Sequence, residues 1–164
     1  MRKLTLMAML LLSAVAAAAE RSVTVVYVEP QQFADVQDSR SHVINPDRNT
    51  HLRSLRKWLQ KQGPRWLGEG QQLQIEFTDI DLAGDYEPIV HPSLDDVRII
   101  KSIYPPRLQF RYRLTDASGQ VLSEGEENLR DLGFDVHAIT RNSDPLRYEK
   151  RMLERWAEQA LDQP

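Results

Sequence analysis

The first candidates for binding or catalytic residues are three aspartates in the stretch FTDIDLAGD, Phe77–Asp85. Asp79 and Asp81 lie two residues apart in a segment with the alternating pattern of a β-strand, so both side chains are expected on one face. Two neighbouring carboxylates can bind a hard cation. Alternatively, their pKa values can separate, so that one group acts as an acid and the other as a base. With Asp85 they form a candidate site for a divalent cation or a small ligand. Their spacing does not match the EF-hand calcium loop and identifies no particular metal.

A structural interpretation competes with this chemical one. In Leu73–Phe77, apolar and polar residues alternate. If that alternation continued unchanged, the two aspartates would enter the core and Ile80 would face water. A β-bulge near Thr78 would exchange the faces, bury Ile80 and Leu82, and turn the aspartates outward to cap a turn or pair with arginines. The structural interpretation is the one that the sequence favours.

A second candidate site is a row of arginines. Arg107, Arg111 and Arg113 alternate with apolar residues in RLQFRYRLTD, so they share one face of a predicted strand. Such a row can bind an anionic ligand such as phosphate or a sugar acid, and Arg107 and Arg111 are the candidate ligand-binding residues. The next strand, however, supplies three acidic residues, Glu124, Glu126 and Glu127. Cross-strand ion pairs would explain the arginines without any ligand.

No motif in the sequence specifies a catalytic residue or a cofactor. The chain has no G-x-S-x-G, no P-loop and no dinucleotide-binding glycine fingerprint. Its four histidines are scattered, at His42, His51, His91 and His137, without the spacing of metal ligands. A protein that is not an enzyme is therefore favoured. A small hydrolase with Asp79 or Asp81 as the general base is the last alternative.

The first nineteen residues have the organisation of a secretory signal peptide. Arg2 and Lys3 precede an apolar run, Leu4–Val15, and Ala17–Ala19 provides small residues for cleavage before Glu20. The apolar run is shorter than the roughly 20 residues that span a bilayer. We expect an exported protein, located in the periplasm, with no membrane span after cleavage. The chain has no cysteine, so it has no disulfide and no thiolate metal site.

Length and charge limit the remaining possibilities. The chain has 164 residues and a formal net charge of −3. This length predicts one globular domain over residues 20–164, after the signal peptide. A mildly acidic balance argues against a nucleic-acid partner, because basic side chains supply most of the affinity for phosphate backbones.

The order of predicted elements indicates an α+β fold. A strand at Ser22–Val28 is followed by a helix that begins at Asn49 or Thr50 and ends near Gly63. Strands are predicted at about 71–82, from about Val97 with an interruption at two prolines, and at about 120–129. A last helix begins with Asp144 as its cap. We expect a mostly antiparallel sheet of about four strands with two helices on one face, in the order β-α-β-β-β-α.

Three longer phrases carry a resemblance to a known family: FTDIDLAGDYEP, VRIIKSIYPPRLQFRYRLTDASGQVLSEGEENLRD and DPLRYEKRMLERW. They resemble the signature blocks of a secreted bacterial family known only as a domain of unknown function, DUF3016. The resemblance covers most of the chain after about Leu52. It implies a small exported single-domain protein and supplies no activity, cofactor or catalytic residue.

The leading hypothesis is therefore an exported, periplasmic, non-catalytic interaction or accessory protein whose expected partner is an envelope protein. The first alternative is a small-ligand or divalent-cation binding protein that uses Asp79, Asp81 and Asp85, and the second is a small hydrolase.

Overall fold

A computed structural model of the chain describes residues 20–36, 45–86, 98–136 and 143–161. The predicted signal peptide at 1–19 and three of the histidines, at positions 42, 91 and 137, lie outside the described residues. The main elements are β1 (Ser22–Tyr27), α1 (Thr50–Gln62), β2 (Gln72–Asp81), β3 (Arg107–Thr115), β4 (Val121–Arg130) and α2 (Arg147–Ala160). Two short 3₁₀ turns follow β1 and α1, at Pro30–Gln32 and Gly63–Trp66.

The four strands form one sheet in the order β1-β2-β3-β4. β1 is parallel to β2, because the chain crosses over through α1 between them. β2, β3 and β4 pair antiparallel, and the β3–β4 hairpin turns at Gly119, which has a φ of 84°. The predicted α+β class, the element order and the mostly antiparallel sheet are confirmed.

Both helices pack on the same face of the sheet. Leu52, Leu55 and Leu59 of α1 belong to the same hydrophobic cluster as Leu153 and Trp156 of α2, together with the inward residues of the strands. The Trp156 ring meets the Phe110 ring of β3 edge to face, with 4.9 Å between centroids. Such a pair contributes about 0.5–1.5 kcal/mol beyond the area that it buries. We call this sheet surface the helix face and the opposite surface the outer face.

The two helices start in different ways: α1 has a side-chain cap, whereas the N-cap residue of α2, Leu146, provides none. The Asn49 side chain accepts a hydrogen bond from the Leu52 N–H at 2.9 Å, as the sequence predicted for α1. α2 was predicted to start at Asp144, but its first helical residue is Arg147. The carboxylate of Asp144 instead accepts from the Leu146 N–H at 2.9 Å and closes the turn before the helix.

The third strand is shorter than predicted. Residues 98–100 contribute only an isolated bridge, between Ile99 and Asp85, and β3 begins at Arg107. The two prolines at 105 and 106 lack N–H donors, so a ladder cannot continue through them. Among the helices of the described residues, none is long and apolar enough to cross a membrane.

Candidate functional site

The predicted bulge in β2 is present. β2 and β3 pair in register up to Phe77, and the register shifts between Phe77 and Asp79. Thr78 is therefore the extra residue, and the faces exchange after it. Ile80 is fully buried and Leu82 is 4% exposed. The two aspartates consequently project from the outer face, beside the first residues of β3.

Asp79 connects three segments of the chain. One carboxylate oxygen accepts a hydrogen bond from the Ala34 N–H at 2.8 Å, beyond the end of β1. The other accepts from the Arg107 guanidinium of β3 at 2.7 Å. The Asp79 and Arg107 side chains are 19% and 31% exposed. The bulge thus aims Asp79 at two donors, and both oxygens are occupied without any ligand.

Asp81 lies next to Asp79 in a more crowded electrostatic environment. Partial burial raises its pKa, the nearby Asp35 and Asp79 carboxylates raise it further, and the guanidinium groups of Arg107 and Arg98 oppose the shift. Asp35 is adjacent because its backbone bridges the end of β2, accepting from the Leu82 N–H at 3.1 Å. Asp81 therefore holds its proton to a higher pH than an ordinary aspartate does.

Arg98 connects the segments around Asp35 and the end of β2, which we call the corner, although the sequence did not indicate it as a site residue. Its guanidinium makes a two-point ion pair with Asp35, at 2.7 and 2.9 Å, and donates to the Gly84 carbonyl at 2.7 Å. It also lies over the Tyr86 ring, 4.7 Å from the centroid. Arg98 and Asp35 are 63 positions apart, so no local pattern could have revealed the pair.

Asp85 does not join the other two aspartates in a common site. Its backbone pairs with Ile99, and its carboxylate accepts from the Tyr86 N–H at 2.7 Å. In the described part of the chain, no three His, Cys, Asp or Glu side chains are grouped so that they could hold a metal ion. The positive charges of Arg98 and Arg107 next to Asp81 also oppose the binding of a cation.

The arginine row forms ion pairs with acidic side chains across the strands. Arg113 pairs with Glu124 of β4 at 3.0 Å, and Arg111 lies 3.6 Å from Glu76 of β2. The outer face is exposed here: Arg111, Arg113 and Glu124 side chains are 49%, 59% and 56% exposed. A shallow depression of about 480 Å³ lies among these residues, with Glu126 also in its lining.

Another buried titratable residue, Glu149 of α2, was not indicated by the sequence. It is fully buried, and one carboxylate oxygen accepts from the Ala83 N–H at 2.7 Å just after β2. Burial raises its pKa, against the opposing charges of Arg98 and Arg147. Glu149 precedes Leu153 by four residues, so the helical period did place it in the apolar stripe of α2.

Comparison with known proteins identifies the class of protein. The profile of a family described as a protein of unknown function, DUF3016, matches residues 21–159. The match covers most of the chain, so the chain belongs to this family. No curated protein and no solved structure matches it.

Proposed function

We propose that this protein is an exported, periplasmic accessory protein that is not an enzyme and that binds an envelope protein through the outer face of its sheet. The observation that carries the proposal is the contrast between the two sheet faces. Both helices pack on one, whereas the other displays the half-buried Glu76 and four exposed charged side chains: Arg111, Arg113, Glu124 and Glu126.

The energetics of these side chains support a binding role. Exposed ion pairs typically contribute about 0–1 kcal/mol to stability. The Arg113–Glu124 pair, with both side chains more than half exposed, is therefore not required to hold β3 and β4 together. Its charges are available to exchange their intramolecular partners for those of another protein.

The mixture of charges indicates what kind of partner fits. Long polyanions such as nucleic acids are bound by surfaces of one sign, since counterion release drives the association. Here acidic and basic groups alternate over a few ångströms, as between Arg113 and Glu124. Such a pattern suits a folded protein surface with complementary charges, because matched polar groups confer specificity.

Binding is tested by charge reversal on the outer face. Mature protein carrying Arg111→Glu and Arg113→Glu is compared with a control carrying Arg53→Glu and Lys57→Glu on the exposed side of α1. Each is immobilised and incubated with envelope extract. We expect the outer-face variant to lose a bound protein that wild type and control retain. Equal retention by both variants would contradict the proposal.

Export is tested separately, by the mass of the protein recovered from the periplasmic fraction of an expressing bacterium. The residues that support export are the basic pair at Arg2 and Lys3, the apolar run and the small residues before Glu20. We expect a mature chain that begins at Glu20. A full-length chain confined to the cytoplasm would contradict this part of the proposal.

The depression beside Arg111 favours a second candidate function, the binding of a small ligand with a carboxylate or phosphate group. Within the described part of the chain, the ion pair of Arg111 is a long one, to Glu76 at 3.6 Å, so its donors can turn toward a ligand. A thermal-unfolding screen with sugar acids and phosphate tests this candidate. We expect a stabilisation that Arg111→Ala removes, and unchanged melting curves would count against it.

One feature of the structure favours the hydrolase alternative, the raised pKa of Asp81.

A further inference from the structure

β4 is an edge of the sheet, and no described strand pairs with its outer side. It is ten residues long, from Val121 to Arg130. A free edge of this length presents a row of unpaired N–H and C=O groups that can pair with another chain. The charged side chains along this edge indicate which chain has complementary charges and can pair with it.

The backbone groups that face outward follow from the β3–β4 pairing. The Asp131 N–H donates to the Pro106 carbonyl, and Leu129 lies opposite Leu108. Hydrogen-bonded and non-bonded pairs alternate in an antiparallel ladder, so every second residue of β4 bonds to β3. The residues between them direct their N–H and C=O groups away from the sheet: Glu124, Glu126, Asn128 and Arg130.

The side chains of these residues are exposed on the outer face. Glu124 is engaged with Arg113 at 3.0 Å. Glu126 and Arg130 make no ion pair within the described residues. They are opposite in charge and equally spaced on either side of Asn128. A two-fold axis through Asn128 would therefore place each beside its opposite on a second copy.

We propose that β4 pairs antiparallel with β4 of a second copy of this chain, with Asn128 on the two-fold axis. Glu126 then lies opposite Arg130 of the partner subunit, and Arg130 lies opposite the partner subunit's Glu126. The outward N–H and C=O groups of these residues form the new ladder. The two sheets become one sheet of eight strands, with an isologous interface.

The acidic residues of the edge exclude neighbouring registers. Moving the axis to Glu126 or Glu127 places that glutamate opposite itself, and an axis at Gly125 places Glu124 opposite Glu126. Like charges directly opposite each other destabilise a strand pair. In the proposed register, Glu127 instead lies opposite Leu129 of the partner subunit. The glutamates thus exclude the registers centred on Gly125, Glu126 and Glu127.

α2 reaches this edge just past the end of β4, where the Arg155 guanidinium donates to the Asp131 carboxylate at 2.6 Å. A depression of about 440 Å³ lies beside this ion pair, with Leu129, Met152 and Trp156 among its lining residues. The strand pairing is made by backbone groups of the edge, although Glu126 also belongs to the proposed partner-binding surface. The mass of the purified protein is measured without any envelope protein, so the two proposals can fail separately.

The test is the molar mass of the mature protein in solution, measured by light scattering after size exclusion from micromolar to submillimolar concentrations. We expect a monomer–dimer equilibrium. Arg130→Glu should give a monomer, because it places two glutamates opposite each other. Combining it with Glu126→Arg should restore the dimer, since the same pair is rebuilt with its charges exchanged.

A backbone variant tests the same strand pairing even if the charge variants misfold. Asn128→Pro removes an N–H that points out of the sheet, so β4 keeps its ladder with β3 while the new pairing is blocked. We expect a folded monomer with a wild-type circular dichroism spectrum. A wild type that is monomeric at every concentration would overturn the inference. So would an Arg130→Glu or Asn128→Pro variant that remains dimeric.

Discussion

Removing the Asp79 carboxylate should destabilise the fold in the absence of any ligand. In Asp79→Ala, the Ala34 N–H loses its acceptor and the Arg107 guanidinium loses its ion-pair partner. The first bond contributes about 1 kcal/mol, and the second, between partly exposed groups, about 1–2 kcal/mol. We expect a total loss of about 2–3 kcal/mol, which lowers the Tm of a domain of this size by about 5–10 °C.

Two further variants separate the two contributions. Asp79→Asn retains an oxygen for the Ala34 N–H and loses only the charge, so about 1 kcal/mol should be lost. Asp47→Ala is the matched control: its carboxylate also pairs with an arginine at 2.7 Å, Arg56, but its side chain is 79% exposed. This control should change the stability by less than about 1 kcal/mol.

The assay is urea unfolding followed by tryptophan fluorescence, repeated with a panel of divalent cations. We expect Asp79→Ala and Asp79→Asn to unfold at lower urea concentrations than wild type, with the same differences in the presence of each cation. Variants that unfold like wild type but lose a cation-induced stabilisation would refute the argument. The bulge would then present Asp79 to a metal rather than to Ala34 and Arg107.

Two other predictions concern the chain on either side of this corner. Gly84→Ala should cost about 2 kcal/mol more than Gly119→Ala, since both have positive φ, of 82° and 84°, but only at Gly84 would a Cβ lie 2.5 Å from the Ile99 carbonyl oxygen. Equal losses in urea unfolding would contradict this. Glu149→Gln should become progressively more stable than wild type as the pH rises above the ordinary glutamate pKa of 4.5. Burial raises the pKa of Glu149 above 4.5, so its protonated carboxyl stabilises the fold at pH values below 4.5. This stabilisation is lost as the carboxyl ionises at higher pH. Urea unfolding between pH 4.5 and 8 checks this, and a stability difference independent of pH would contradict it.

The bulge could be predicted from the sequence because the apolar pattern contradicted itself. An unbroken alternation after Phe77 would have buried two aspartates and exposed Ile80, and one extra residue resolves that conflict. Cross-strand pairs between arginines and glutamates could be predicted because the short turn near Gly119 makes β3 and β4 neighbours. Which glutamates take part could not be predicted, because a register shift between Leu114 and Thr115 follows the turn. The shift brings Glu124 opposite Arg113, whereas Glu127 lies opposite Phe110 on the helix face.

The corner around Arg98 could not be predicted, because its contacts join residues far apart in the chain. Asp35 and Arg98 are 63 positions apart, and Ala83 and Glu149 are 66 apart. Sequence patterns with a helical or strand period relate residues only a few positions apart, so they cannot reveal contacts at such separations. Glu149 shows the limit well: helical spacing placed it on the buried stripe, but only the fold supplies the N–H that makes burial of a carboxyl tolerable.

The proposed binding surface is tested most directly by site-specific photo-crosslinking in the cell that naturally produces the protein. A photoreactive amino acid replaces Arg111 on the outer face or, as the control, the exposed Arg53 on α1. We predict that the probe at position 111 links the mature protein to one envelope protein and that the probe at position 53 does not. Equal crosslinking from the two positions, or none from position 111, would contradict the account.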